Sequence, residues 1–155
     1  MVKIAICDDE TEFLDLLSDS LDSWCRAHQL TLQLYRFTNG DELISAHRAY
    51  GMDLILLDMI MPLLSGMDTA RELRQHDPHV PIIFLTARGR EEDRLYGYDL
   101  GCDDYVVKPF SMAELQAKIQ SFLRRSKGLW TKNQVIQVGD IKMYPDRLLV
   151  EAAGE

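Results

Sequence analysis

The stretches Val2-Lys3-Ile4-Ala5-Ile6-Cys7-Asp8-Asp9 and Leu54-Ile55-Leu56-Leu57-Asp58 each run a short apolar segment straight into carboxylates. A run of this length bounded by polar residues reads as a buried strand. Working outward from them, apolar runs alternate with segments of helical period. From Glu10 to about His28, Phe13, Leu14, Leu17, Leu21 and Trp24 recur at helical spacing. Leu30 to Tyr35 alternates as a second strand, and Asn39 is placed to cap a helix carrying Leu43, Ile44 and Ala46. Asp53 to Leu57 is the third strand, followed beyond Pro62 and Gly66 by a helix through Arg74. Pro81 to Leu85 is the fourth, with a helix over about Arg90 to Leu100, and Tyr105 to Val107 is the fifth. Ser111, with Glu114 three residues on, forms a capping box for a last helix reaching Arg125.

Five strands alternating with five helices favour a parallel sheet covered on both faces, because right-handed crossovers place helices on each side. The expected fold is α/β, a flavodoxin-like (βα)5 three-layer sandwich with a parallel five-stranded sheet. In such sheets ligands sit beyond the carboxyl ends of the strands, so functional residues should follow strands. Residues 127 to 134 break the pattern with a glycine and several polar residues, as a linker does. Beyond them Val135 to Val138, Ile141 to Tyr144 and Leu148 to Glu151 read as short strands joined at Gly139-Asp140 and Pro145-Asp146, a hairpin-like tail too small for a core of its own.

The chain has 155 residues, 46% hydrophobic and 27% charged, which is ordinary for a globular domain and excludes disorder and collagen-like repeats. Its net charge of −8 opposes non-specific binding to nucleic acid or acidic membrane. The acidity lies in residues 1 to 126, with 21 acids against 13 bases, while residues 127 to 155 are neutral. No apolar run approaches the length of a membrane span, and the N-terminal run meets Asp8, Asp9 and Glu10, so neither a signal peptide nor a membrane helix is expected. Cys7, Cys25 and Cys102 are odd in number and lack CxxC spacing, which reads as buried thiols in a reducing cytoplasm.

Taking only the residues just after each strand, Asp8 and Asp9 follow the first, Asp58 the third, Thr86 the fourth and Lys108-Pro109 the fifth. Three carboxylates held together repel one another unless a cation or protonation relieves the charge. Mg²⁺ suits them, since it prefers oxygen ligands and often uses one or two carboxylates plus phosphate oxygens. A hydroxyl and an ammonium beside such a site can contact a phosphoryl group, whose transfer requires positioning and charge neutralisation. Singly, each residue also reads as a helix cap, a turn or solvated surface. Their joint placement at the ends of four strands is what points to chemistry. His28, His47, His76 and His79 lack acidic or thiol partners at ligand spacing and read as surface, and Met59, Met61 and Met67 read as packing around a loop. With no GxGxxG and no GxxxxGK[ST], nucleotide binding has no support.

The motifs Ile6-Cys7-Asp8-Asp9-Glu10, Leu56-Leu57-Asp58-Met59-Ile60-Met61-Pro62, Leu85-Thr86-Ala87-Arg88 and Asp103-Asp104-Tyr105-Val106-Val107-Lys108-Pro109-Phe110 resemble the receiver domain of two-component response regulators over residues 1 to about 126. The resemblance implies that Asp58 is the phosphoacceptor for a sensor histidine kinase. It implies that Asp8, Asp9, Asp58 and the Ile60 backbone carbonyl hold Mg²⁺, that Lys108 pairs with the acceptor or phosphoryl oxygens, and that Thr86 and Tyr105 are the switch pair. The tail from Val138 through Tyr144-Pro145-Asp146-Arg147 resembles the opening β-sheet of the winged-helix effector of the OmpR/PhoB subfamily, so residues 135 to 155 are expected to be an incomplete effector sheet and the chain a truncated regulator. The same subfamily implies a homodimer on phosphorylation through Arg94, Leu95, Asp103, Asp104, Glu114, Lys118 and Arg125. Transcription would be controlled through a DNA-binding domain missing here, in the cytoplasm, with no membrane partner. Only self-phosphorylation and autodephosphorylation chemistry is implied, not an enzyme.

Two features depart from the family pattern. Leu63 stands where a glycine commonly follows Met-Pro, and Leu63 and Leu64 either dock a kinase or pack onto their own loop. Phe37-Thr38-Asn39-Gly40 is more like receivers joined to LytTR effectors. A phosphotransferase of haloacid-dehalogenase type also uses an aspartyl nucleophile and Mg²⁺, but needs a second Asp two positions after it. Ile60 occupies that position.

Overall fold

A computed structural model of the chain describes residues 1–87, 91–127, 136–138, 141–144 and 149–152. These fall into two compact units, Met1–Gln116 and Ala117–Glu155, each described by itself. The first holds β1 (Val2–Cys7), α1 (Thr11–Ala27), β2 (Leu32–Phe37), α2 (Gly40–Tyr50), β3 (Leu54–Leu57), α3 (Gly66–His76), β4 (Ile82–Thr86), α4 (Glu91–Asp99) and β5 (Asp104–Val107), and α5 (Met112–Lys127) starts in it. The five strands pair in parallel in the order β2-β1-β3-β4-β5. The architecture is the flavodoxin-like sandwich the alternation predicts.

Period-two alternation divides the sheet residues between two layers. On one face Ala5, Cys7, Ile55, Leu57, Ile82 and Phe84 pack with Leu43 and Ile44 of α2 and Ala70 and Leu73 of α3. The alternate residues Ile4, Ile6, Leu54, Leu56, Ile83 and Leu85 are equally buried. Strand order reverses at β1, so right-handed crossovers put α1 on the opposite face from α2. There α1 supplies its buried stripe, Leu14, Leu17, Leu21 and Cys25. Burial on both faces explains why β3 and β4 read as unbroken apolar runs. Asn39 accepts the Glu42 N–H at 3.0 Å and Ser111 accepts the Glu114 N–H at 3.0 Å, so both expected caps form.

Two expectations need correction. The second strand is Leu32–Phe37, two residues later than the alternation placed it. The end of α1 takes the difference: Gln29 has φ 57° and the Leu30 N–H bonds back to the Cys25 carbonyl, so these residues close the helix. The partner strand then sets the span, from Val2 opposite Leu32 to Cys7 opposite Phe37. His47 is not on the surface but 6% exposed. Its Nδ1 accepts the Met52 N–H at 3.0 Å and its Nε2 lies 3.0 Å from an Asp77 carboxylate oxygen. Accepting at Nδ1 requires the proton on Nε2, so the ring donates to Asp77 and joins the end of α2 to the end of α3. Burial raises the Asp77 pKa, but hydrogen bonds from the His79 N–H, His47 and the Val80 N–H outweigh it and hold the pKa low. His28, His76 and His79 are exposed as expected.

In the second unit β6 (Ile136–Val138), β7 (Ile141–Tyr144) and β8 (Leu149–Ala152) form an antiparallel sheet in the order β6-β7-β8. Gly139-Asp140, Pro145-Asp146 and linker positions 128–134 lie outside the described residues, as does Arg88. Among the described residues no helix is long and apolar enough to cross a membrane.

Leu63 adopts φ 68° and is 98% exposed. The left-handed conformation costs a residue with a Cβ roughly 1–2 kcal/mol. Glycine removes that strain but loses about 0.5–1 kcal/mol through its greater freedom in the unfolded chain. Leu63 has no burial to lose, so the balance favours glycine. Leu63→Gly is expected to raise the Tm by a few degrees, read by calorimetry; an unchanged or lower Tm would contradict the strain argument.

Candidate functional site

The sheet edge that bears the site is extended one rung past its strands. The Asp8 N–H donates to the Phe37 carbonyl at 3.0 Å, the Asp58 N–H to Cys7 at 2.9 Å, and the Lys108 N–H to Thr86 at 2.8 Å. Each bond fixes the backbone of a residue that leaves the sheet there, so the side chains of separate loops arrive at one edge. One oxygen from each of Asp8, Asp9 and Asp58 lies within 4.8 Å of the others. Asp8 is fully buried, Asp58 nearly so, and Asp9 exposed, which leaves the cluster open on one side.

The contacts give each residue a distinct task. Asp8 is not the α1 cap: the cap is Glu10, whose own N–H is bound by Asp8 Oδ1 at 2.9 Å. The other Asp8 oxygen takes the Lys108 ammonium at 2.7 Å. Asp58 Oδ1 accepts the Ile60 N–H at 3.3 Å, while the Ile60 side chain remains 47% exposed. Thr86 is fully buried at the end of β4, opposite Val107, and Tyr105 is buried in β5 opposite Phe84. Thus Asp8, Asp9, Asp58 and Lys108 stand at the carboxyl edge after their strands, and Thr86, expected to follow the fourth strand, is the last residue of β4 at the same edge. Met59 and Met61 are buried beneath the Asp58 loop; Leu64 packs inward, whereas Leu63 points out.

Two contributors escaped the sequence reading. Phe13, read there only as part of the helical stripe, lies under Lys108 Nζ at 3.9 Å from its ring centroid and meets Phe110 edge-on at 6.2 Å. Ninety-odd residues separate it from Lys108, and no local pattern signals the pairing. Gly66 abuts the Asp58 backbone: a Cβ there would sit 1.8 Å from the Asp58 carbonyl oxygen. Its N–H bonds the Met59 carbonyl at 3.0 Å, so the loop is seated directly on the start of α3.

Of the remaining residues singled out in the sequence, Arg94 and Leu95 are exposed on α4 and Glu114 on α5. Asp103 binds Arg74 at 2.8 Å and accepts the Ile82 N–H at 2.8 Å within the chain. Asp104 receives the Tyr98 hydroxyl at 3.4 Å. In the second unit Arg125 lies back on its own helix, donating to Ser121 and resting over the Phe122 ring, and Lys118 is half-buried.

The donor set is all oxygen, anionic and partly buried, which fits a small hard divalent cation and not a soft metal. Burial, with the Asp8 charge next, pushes the Asp58 pKa up to about 6 despite the opposing Lys108 ammonium. A folded-state pKa above the unfolded value of 3.8 means the folded chain binds a proton that the unfolded chain releases between those values. This group's contribution is therefore most favourable below about pH 4 and is lost as pH rises through about 6. The ionised form opposes folding at neutral pH by on the order of 3 kcal/mol. In EDTA at pH 7.5, Asp58→Asn should raise the Tm, and the gap from wild type should narrow as pH falls toward 4. Thermal melts showing a lower Tm for the variant, or a gap independent of pH, would contradict the crowding.

Residues 4–120 match the family model described as response regulator receiver domain. The alkaline phosphatase synthesis transcriptional regulatory protein PhoP of Bacillus subtilis is 33% identical over 93% of the chain, which spans 61% of that relative. DrrB of Thermotoga maritima, an OmpR/PhoB homolog, superposes with a TM-score of 0.70 and 29% identity over 98% of this chain and 64% of DrrB. The response regulator TrrA of Thermotoga maritima, solved in complex with Mg(2+)-BeF, gives a TM-score of 0.69 at 31% identity over 79% of this chain and all of TrrA. Residues following separate strands to one acidic edge, on this strand order and with this match, have one reading: the chain belongs to the response regulator receiver domain family.

Proposed function

We propose that this chain is a phosphorylation-controlled switch in which Asp58 accepts a phosphoryl group from a sensor histidine kinase in the cytoplasm. The observation that carries the reading is the convergence of Asp8, Asp9 and Asp58 within 4.8 Å with the Lys108 ammonium 2.7 Å from Asp8. The family resemblance makes Asp58 the nucleophile of the set, and its carboxylate, held by the Ile60 N–H, lies outside the ion pair of Asp8 with Lys108. One of its oxygens forms the bond to phosphorus as the bond to the donor nitrogen breaks, and the departing imidazole keeps that electron pair and takes up a proton. Asp8, Asp9, Asp58 and the Ile60 carbonyl would hold Mg²⁺, which when bound supplies positive charge against the carboxylates and the incoming phosphoryl oxygens. Lys108, steadied by Asp8 below and Phe13 beside it, adds a second cation at the same edge. The Thr86 hydroxyl and Tyr105 respond to the new dianion as the switch pair. Three free, buried cysteines suit a reducing compartment.

In this reading the chain is a phosphoacceptor, with self-phosphorylation and autodephosphorylation as its only chemistry. Residues 1–126 form the receiver, 127–134 the linker and 135–155 the opening sheet of a winged-helix effector, through which DNA would be bound. The likeness to DrrB, over 98% of this chain and 64% of DrrB, supports this division. Phosphorylation promotes a homodimer through Arg94, Leu95, Asp103, Asp104, Glu114, Lys118 and Arg125. Exposed ion pairs contribute roughly 0–1 kcal/mol each, so these charges set partner choice and register more than affinity.

Incubation with acetyl phosphate and Mg²⁺ should add one phosphoryl mass to the intact protein, and Asp58→Asn or EDTA should abolish it. An adduct of equal yield in the Asn variant would overturn the assignment. Sedimentation of the phosphorylated protein should show a dimer that Arg94→Glu combined with Arg125→Glu disperses; a dimer indifferent to both charges would exclude this interface.

A further inference from the structure

We propose that the outer edge of β2 and the groove beside it are a docking site for an extended protein segment bearing an arginine or lysine. The segment pairs with β2 as an added strand and lays its cationic side chain between Phe37 and Tyr50, against Asp41 and Glu42. β2 stands at the end of the sheet, and no strand among the described residues pairs with its outer side. The Val2 N–H bonds the Thr31 carbonyl and the Asp8 N–H the Phe37 carbonyl, so in this parallel register the backbone groups of Leu32, Leu34 and Arg36 face outward. Such an edge is a template for another strand unless proline, a bulge or an unpaired charge blunts it. β2 has no proline, its register with β1 is unbroken from Leu32 to Phe37, and its one charged side chain, Arg36, is held by Asp15 of α1.

The groove gives this edge its chemistry. It has a volume of about 560 Å³ and lies between Phe37 and one face of α2. Ser45, Ala46 and Ala49 leave room along the helix, while Phe37 and Tyr50 add aromatic surface. Tyr50 is 62% exposed, yet its ring stacks on Tyr35 at 5.9 Å with 21° between the planes, so it is ordered before anything binds. Asp41 and Glu42 supply the charge: both are exposed, and among the described residues neither is engaged in an ion pair. Their place in the first turn of α2 suits the helix dipole, but that does not account for a groove lined by aromatics and acids with no base. Lys3 does not line it, its ammonium being engaged by the Tyr50 carbonyl at 3.0 Å. Aromatic faces and carboxylates together select a cation on an apolar stem, which describes an arginine or lysine side chain. Tyr35 and Phe37 project on the α2 face of the sheet. Alternate residues of an added strand therefore enter the groove while its backbone bonds the outward groups of β2. A free cation would forgo those bonds. A second copy would bring Gln33, Tyr35 and Phe37 to that face without a cation, and it carries the same net charge of −8.

The probes are two acetylated and amidated peptides, one of alternating valine and arginine and one of alternating valine and glutamate, titrated into the full chain at physiological salt. The arginine peptide should bind at least about tenfold more tightly, and it should slow hydrogen exchange at the Leu32, Leu34 and Arg36 amides. Asp41→Asn with Glu42→Gln, and separately Ala49→Arg, should each lower that affinity about tenfold without altering the circular dichroism spectrum. Methylating the backbone nitrogens of one alternate set of peptide residues should abolish binding, and methylating the other set should leave it, because only one row of amides faces β2. Attraction to the net charge alone would be indifferent to that choice. Equal affinity for the two peptides, indifference to both groove variants, or the same result with both methylated sets would overturn the proposal. So would protection of the same amides by free arginine amide, which would make the groove a small-cation site. Self-association without peptide that Ala49→Arg disperses would give the edge to a second copy and overturn it equally. No arm uses a phosphoryl group, so failure of the chain to become phosphorylated would count against the proposed function alone.

Discussion

Like charges confined at the edge of a parallel sheet set the terms for everything else in this molecule. Asp8, Asp9 and Asp58 are brought within 4.8 Å of each other by strands β1 and β3, which are neighbours, and two of the three are buried. In water such groups would separate; here backbone bonds one rung beyond each strand prevent it. The strain is relieved only in part, by the Lys108 ammonium from the far side of the sheet and by the Ile60 N–H. The residual destabilisation appears in the raised pKa of Asp58. Charge crowding of this kind favours a cation, because the folding energy has already covered the cost of bringing the carboxylates together.

The same rigidity governs the loop that carries Asp58. The Asp58 loop is held between Gly66, with no room for a side chain, and the buried sulfurs of Met59 and Met61. Cys7 Sγ contacts Met61 Sδ at 3.6 Å, and burial, with the Asp8 charge next, pushes its thiol pKa up to about 12, so it serves as packing and not as a reactive group. A loop with little free volume moves as a unit when it moves. Leu63 differs, being strained and fully outward at the tip of the loop.

Cross-linking polar contacts hold the opposite end of the sheet. Arg74 donates to the Gly101 and Val80 carbonyls and to Asp103, gathering the end of α3 and the approaches to β4 and β5 around one guanidinium. His47 does the same for α2 and α3 through Asp77. Asp103 thereby has a structural duty within the chain, and any part it plays between two chains draws on an oxygen set already engaged.

The sequence alone determined the alternation of strands and helices, the helix caps at Asn39 and Ser111, and which residues follow strands, because periodicity and capping are local properties of the backbone. It also marked Asp8, Asp9, Asp58, Thr86 and Lys108 as a group, since every parallel strand delivers its following residue to the same edge. Only tertiary structure decided that Lys108 pairs with Asp8 over the Phe13 ring, that His47 is buried against Asp77, that β2 takes its span from β1, and that Gly97 clears the ring of Tyr105. Those facts join residues from distant parts of the chain, and their signal lies in distances and free volume, which no spacing along a single strand or helix encodes.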